Sequence, residues 1–255
     1  MVWGSFGTVH LLSLLIGAGI IIGLYFLLRC FSAKTQTVVL GILSFSGIAA
    51  IIFNLVTWGS PYEYLPLHLC SLTAMVLPAA VFTRSKTLGN LLLLWSLGAV
   101  MALVVNTAQA NFEICSATFL FYFFPHLLEF GIPILLFALG LVKKDVKCIG
   151  TTLLITLCAF ALVHFVNLAL NSYLAANQIL NSSGTLIQVN YMYTIKPENP
   201  VMALFWSLIP YPFWYLLPVV LIISVYLLIV YSKQIITFFK MRTQKETISN
   251  KKCRS

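Results

Sequence analysis

The chain has 255 residues, of which 60% are hydrophobic and only 8% charged, a balance that excludes an ordinary water-soluble domain and predicts a polytopic membrane protein. Its net charge of +9 comes from cations gathered beside apolar runs, so it suits anionic lipid and membrane orientation and calls for no nucleic-acid partner. The runs are apolar on every face and do not alternate, which excludes a membrane β-barrel.

Crossing a hydrocarbon core of about 30 Å takes about 20 apolar residues in a helix. Stretches at about 8–29, 37–57, 66–83, 87–106, 117–142, 148–172 and 214–235 meet that description. The predicted fold is therefore all-α, a seven-helix transmembrane bundle over 1–236 with a basic tail over 237–255. The first stretch has no basic n-region and is followed by Arg29 instead of a small-residue cleavage site, so it reads as a retained helix. Arg29 and Lys34 follow span one, Arg84 and Lys86 follow span three, and Lys143, Lys144 and Lys147 follow span five. Seven further cations follow span seven, leaving Lys196 alone on the opposite side. The positive-inside bias then predicts a multi-pass cell-membrane protein with its N-terminus outside and its C-terminus cytoplasmic. The last dozen residues, without an apolar run, are expected to be disordered.

Span three opens with Pro66-Leu67-His68-Leu69-Cys70-Ser71, where a thiol and an imidazole enter an apolar helix. Ionisable groups at membrane depth are costly and mark sites. On a regular helix His68 and Cys70 lie about 200° apart, so they face one point only if the start of the span is unwound. That spacing, and the absence of any HxxxH or CxxC pair, predicts no metal site, and no cofactor is called for. The six cysteines are scattered; a Cys70–Cys115 disulfide near the outer side is the alternative to a free Cys70 thiol.

Span five carries Tyr122, His126 and Glu129 at i, i+4 and i+7, and span six carries His164, Asn167 and Asn171 at i, i+3 and i+7, two polar stripes in the outer half of the bundle. Lipid offers such faces no hydrogen-bond partner, so both are expected to point inward. Pro125 and Pro133 interrupt the ladder of span five and bend it, which can open a cavity at the level of the stripe. Packing histidines and packing kinks are the plainer reading of each feature alone. Convergence on Cys70 as nucleophile, with His126 or His164 as its general base, is the expectation from the two stripes together. Glu129 is placed to orient His126 or balance its charge, and Asn106, Asn167 or Asn171 to donate to an oxyanion. Between spans six and seven, residues 173–213 gather aromatics around Pro197, Pro200, Pro210 and Pro212; 201–209 reads as a short interfacial helix roofing the site or as part of an aromatic belt. Asn181-Ser182-Ser183 matches a glycosylation acceptor, a weak signal.

The residues around Cys70, Phe124-Pro125-His126 with Pro133, Val163-His164-Phe165, Asn190-Tyr191-Met192 and Tyr211-Pro212-Phe213-Trp214 resemble, over about 50–220, the bacterial YwaF-type integral membrane proteins. More distantly they resemble transmembrane protein 164 of animals. The resemblance implies a lipid acyltransferase that moves a fatty acyl chain from a phospholipid, through a thioester on Cys70, to a lipid acceptor such as a lysophospholipid, with His126 and His164 at the family's two histidine positions. The animal pattern has proline before the cysteine and histidine after it; here Leu69 and Ser71 stand there. A lipid ester hydrolase and a small-solute transporter are the alternatives. The orientation is tested by single-cysteine labelling in intact cells: an impermeant reagent is expected not to reach Cys253, and labelling from outside would reverse the topology.

Overall fold

A computed structural model describes residues 2–4, 6–58, 60–105 and 112–252, with side chains to residue 237. Cys253 and Asn106, both singled out from the sequence, lie outside the described residues.

The molecule is a helical bundle. Helix α1 spans Thr8–Leu28, and the second predicted span is two helices, α2 (Ala33–Ser44) and α3 (Ser46–Thr57), meeting at Phe45. There the Phe45 amide bonds Ile42 O at 3.3 Å, a tightened turn within one 25-residue path. Helices α4 (Leu69–Thr83), α5 (Lys86–Val104), α6 (Ala117–Ala138) and α7 (Cys148–Ala176) follow. A short helix, α8 (Pro200–Leu208), and a long α9 (Leu217–Lys252) complete the chain. At the start, strand β1 (Val2–Trp3) pairs antiparallel with β2 (Phe112–Glu113), Trp3 opposite Phe112, a ribbon the sequence reading did not include.

Among the described residues six paths are long and apolar enough to cross a membrane, and the third predicted span is the exception. Helix α4 has 15 residues, about 22 Å at 1.5 Å rise, and begins at Leu69 instead of Pro66. Leu65 precedes a proline and is biased away from helix, and His68 is held extended at φ −74°, ψ 155°. The seven full-length spans expected are thus six and one short helix. The opposite departure occurs at the C-terminus, where α9 runs past the predicted boundary at 236 to Lys252, through good helix formers such as Lys, Gln and Glu. The described part of the tail expected to be disordered, through Lys252, continues this helix.

Burial places α5 and α6 at the centre: 56% and 61% of their apolar windows are buried, against 17% for α1, α7 and the last span. Most buried polar side chains among the described residues are answered within the bundle, as a lipid surround favours. At the basic end, Arg84 in the left-handed region caps α4 and donates to Thr37 Oγ1 (2.6 Å) and Ala33 O (2.8 Å) at the start of α2. Asn90 on α5 donates to Lys143 O and accepts from Tyr231 of α9 and the Asp145 amide. His10, which the sequence reading passed over, is fully buried beside Trp3; it accepts from the Phe6 amide at Nδ1 and donates from Nε2 to Leu103 O at 2.7 Å, tying α1 to the end of α5.

Small residues set the close approaches between helices. A Cβ on Gly47 of α3 would stand 2.5 Å from Ala74 Cβ of α4 and 2.8 Å from Glu129 Oε1 of α6. Gly47→Val is therefore expected to destabilise the bundle by about 1–3 kcal/mol through overpacking, read as a lowered detergent melting temperature. Gly19→Ala, where nothing lies within 4 Å, serves as the neutral control.

Candidate functional site

A cavity of about 360 Å³ lies where the C-terminal end of α3, the start of α4 and the first half of α6 meet, at the end of the bundle away from Arg84 and Asn90. Its walls carry Cys70, Ser71, Tyr122 and His126, and Gly47, Ala74 and Glu129 lie deeper. Trp58 and Tyr64, stacked at 5.5 Å, stand with Glu63 toward the loop side, and Tyr193 reaches in from the loop before α8. At that volume the cavity takes a small polar centre of a ligand and not a whole phospholipid.

The start of α4 explains how His68 joins Cys70. Because His68 is extended and helical geometry begins only at Leu69, the 200° separation of a regular helix does not apply, and both side chains line the same cavity. The unwinding that the sequence reading set as a condition is present. Both Cys70 and Cys115 are free thiols, so the disulfide alternative is not realised.

Helix α6 brings His126 and Glu129 to the opposite wall. His126 Nδ1 lies 2.7 Å from the carbonyl oxygen of Tyr122, one turn earlier. A carbonyl only accepts, so Nδ1 carries the proton and Nε2 keeps its lone pair. Tyr122 is itself fixed by donating to Ala102 O at 2.9 Å. Glu129 is 3% exposed, and its Oε2 has no partner among the described residues. It therefore reaches the cavity as a buried carboxyl whose hydrogen-bonding capacity is not used by the surrounding protein.

The polar stripe of α7 has a different task from the one expected of it. Asn167 is fully buried, donates to Tyr191 O (2.8 Å) and Thr194 Oγ1 (2.9 Å), and accepts from the Tyr191 amide (3.0 Å). Asn171 makes the same two-way pairing with the backbone of Val189, at 2.9 and 2.8 Å. His164 Nδ1 meets Thr194 Oγ1 at 3.2 Å and packs on Phe213, outside the cavity that Cys70 lines. The three residues do face protein, and what they hold is the loop at 189–194. Of the expected convergence, Cys70 and His126 meet on one cavity together with His68 and Glu129; His164 does not.

That loop completes the site. Tyr191–Tyr193 forms a single tight turn with Met192 and Tyr193 at positive φ (52° and 54°), and the Met192 amide donates to His68 Nδ1 at 3.3 Å. Tyr191 donates to Tyr62 O, and Tyr215 donates to Tyr193 O. Burial pushes the Tyr191 hydroxyl up to about 12 and Tyr193 higher still, so both stay protonated donors. Asn190 stiffens the turn by accepting from the Ile195 amide and donating to Glu198 Oε1. Helix α8, for which a roof and an aromatic belt were both open, lines none of the cavity, whereas Tyr193 and the 63–65 segment do. Nothing in the sequence marked Thr194, whose hydroxyl meets His164 and Asn167 of α7, and Asn190 stood out only as part of the family resemblance. Asn181 of the glycosylation motif accepts from the Ser183 and Thr185 amides and so serves a local turn.

A family model, that of the TMEM164 family, matches residues 5–231. It carries the resemblance to transmembrane protein 164 and gives no support to the YwaF-type label. No curated protein and no solved structure matches the chain.

Asn167→Leu would strand the buried amide and carbonyl of Tyr191. A loss of about 1–3 kcal/mol is expected, with faster protease nicking in the 177–199 segment. Asn177→Leu, which removes only an exposed bond to Tyr173 O in the same helix, is expected to change neither.

Proposed function

The chain belongs to the TMEM164 family, and from that membership and the pairing of a thiol with an imidazole base on one cavity we propose that it is a membrane-embedded lipid acyltransferase. The reading places the basic helix ends in the cytoplasm of a cell-membrane protein and the cavity toward the outer leaflet. The observation that carries it is His126: with Nδ1 committed to Tyr122 O, its Nε2 lone pair is the nitrogen left to act as a base on the cavity that Cys70 lines.

In the first half-reaction His126 Nε2 takes the Cys70 thiol proton, and Sγ attacks the ester carbonyl carbon of a phospholipid. The C–S bond forms as the carbonyl π pair moves to oxygen. Collapse restores the carbonyl and breaks the ester C–O bond, and the departing lysolipid alkoxide takes the proton from His126. In the second, His126 removes the hydroxyl proton of a lipid acceptor, whose oxygen attacks the thioester carbon. Cys70 leaves as thiolate and recovers the proton. Only the ester-bearing centre of each lipid needs to enter a cavity of about 360 Å³, with the acyl chains left in the bilayer. Glu129, one turn beyond His126, is placed to balance the imidazolium that forms transiently within each half-reaction. Asn167, Asn171 and His164 act through the loop they hold.

The test is a cysteine-directed, lipid-like electrophile applied to native membranes. Cys70 is expected to be labelled, and His126→Ala to slow the labelling about 100-fold, the low end of the usual range for losing a general base. His164→Ala is expected to slow it less. Full lipid transfer by Cys70→Ala would remove the nucleophile and the reading with it.

A further inference from the structure

The two imidazoles on the cavity are fixed in opposite tautomers. A backbone amide can only donate, so His68 Nδ1, which receives the Met192 N–H at 3.3 Å, is the lone-pair nitrogen, and the ring proton of neutral His68 sits on Nε2. At His126 the reverse holds, because Nδ1 faces the carbonyl of Tyr122. One wall thus offers a base and the other an N–H donor, with the thiol of Cys70 on the same cavity.

The His68 arrangement is built and not incidental. Its ring is held between Tyr191 (centroids 5.3 Å apart) and Tyr193 (5.5 Å). The amide that sets its tautomer belongs to a residue at φ 52°, a conformation costly outside glycine. Asn167 and Asn171 bond the backbone on the N-terminal side of that residue, and the Tyr193 amide closes onto Asn190 O at 3.0 Å. With Nδ1 turned to the loop, Nε2–H across the ring is the group His68 presents to the cavity.

We propose that His68 is the oxyanion donor of the site. As Cys70 Sγ bonds to the acyl carbonyl carbon and the π pair moves to oxygen, the His68 Nε2–H donates a hydrogen bond to that oxygen, and no proton is transferred. The donation strengthens as negative charge develops, which makes it selective for the transition state. The role rests on the acyl-transfer reading, with acyl donors of the oxygen- or thioester class, and it divides labour between the histidines: His126 moves the proton and His68 stabilises charge.

Two chemical probes separate these parts on the full chain in nanodiscs, each read at the Cys70 peptide by mass spectrometry. Iodoacetamide alkylates a thiolate by displacement and develops no oxyanion; p-nitrophenyl decanoate acylates it through a tetrahedral intermediate with a leaving group that needs no proton. His68→Leu is expected to slow acylation about 100-fold while alkylation stays within about two-fold, the size of effect seen when one oxyanion donor is lost. His68→Gln, whose amide can replace the Nε2–H, is expected to recover at least about tenfold of that loss. His126→Gln, which offers no base, is expected to slow both reactions. The proposal is overturned by wild-type acylation in His68→Leu, by alkylation falling in parallel with acylation, or by His68→Gln being as slow as His68→Leu. A wild-type protein that forms no acyl-Cys70, or a Cys70→Ala variant that consumes the ester equally fast, would instead sink the acyltransferase reading itself.

Discussion

The hydrogen bond from the Met192 amide to His68 joins two parts of the chain 124 residues apart, and the shape of the cavity depends on it. It anchors the side chain of the extended residue that immediately precedes α4, which begins at Leu69. It also fixes which ring nitrogen of His68 carries the proton. The bond is maintained because the turn at 191–193 cannot drift: Asn167 and Asn171 occupy the backbone donors and acceptors of Val189 and Tyr191 in a setting where water is scarce. An amide left unpaired there would cost about 1–3 kcal/mol, so the two asparagines stabilise the loop and the site together.

The opposite wall obeys a related constraint. Pro125 and Pro133 remove two backbone donors from α6, and the helix persists because α5, α3 and α4 pack around it. Close packing against α3 and α4 is possible because Gly47 leaves space for Ala74 and the Glu129 carboxyl. The same packing leaves Glu129 Oε2 buried without a partner among the described residues. His126 spends its Nδ1 proton on the backbone and leaves Nε2 without a backbone partner, while His10 has both nitrogens engaged by backbone groups.

The membrane class, the positions of six long spans and the polar stripes on α6 and α7 were legible in the sequence, because hydrophobic length and helical periodicity are local properties. That Cys70 and a histidine of a neighbouring helix lie in the same half of the bundle was legible for the same reason, with His126 and His164 both open as the partner. His164 shared that depth and the same type of stripe, and nothing local distinguished it from His126.

Depth along a helix is set by residue count, which the sequence contains; the direction a helix face points is set by what packs against it, which the sequence does not. Composition and span length by themselves determined that this chain is a helical membrane protein with ionisable groups near one end. Only the tertiary structure decided that the α7 stripe faces the 189–194 loop, that α4 is short, and that Tyr193 and not α8 stands at the cavity. Each of these outcomes rests on hydrogen bonds between residues far apart in the chain, Asn167 to Tyr191 and Met192 to His68 among them, and long-range partners leave no periodic trace in the sequence that could announce them.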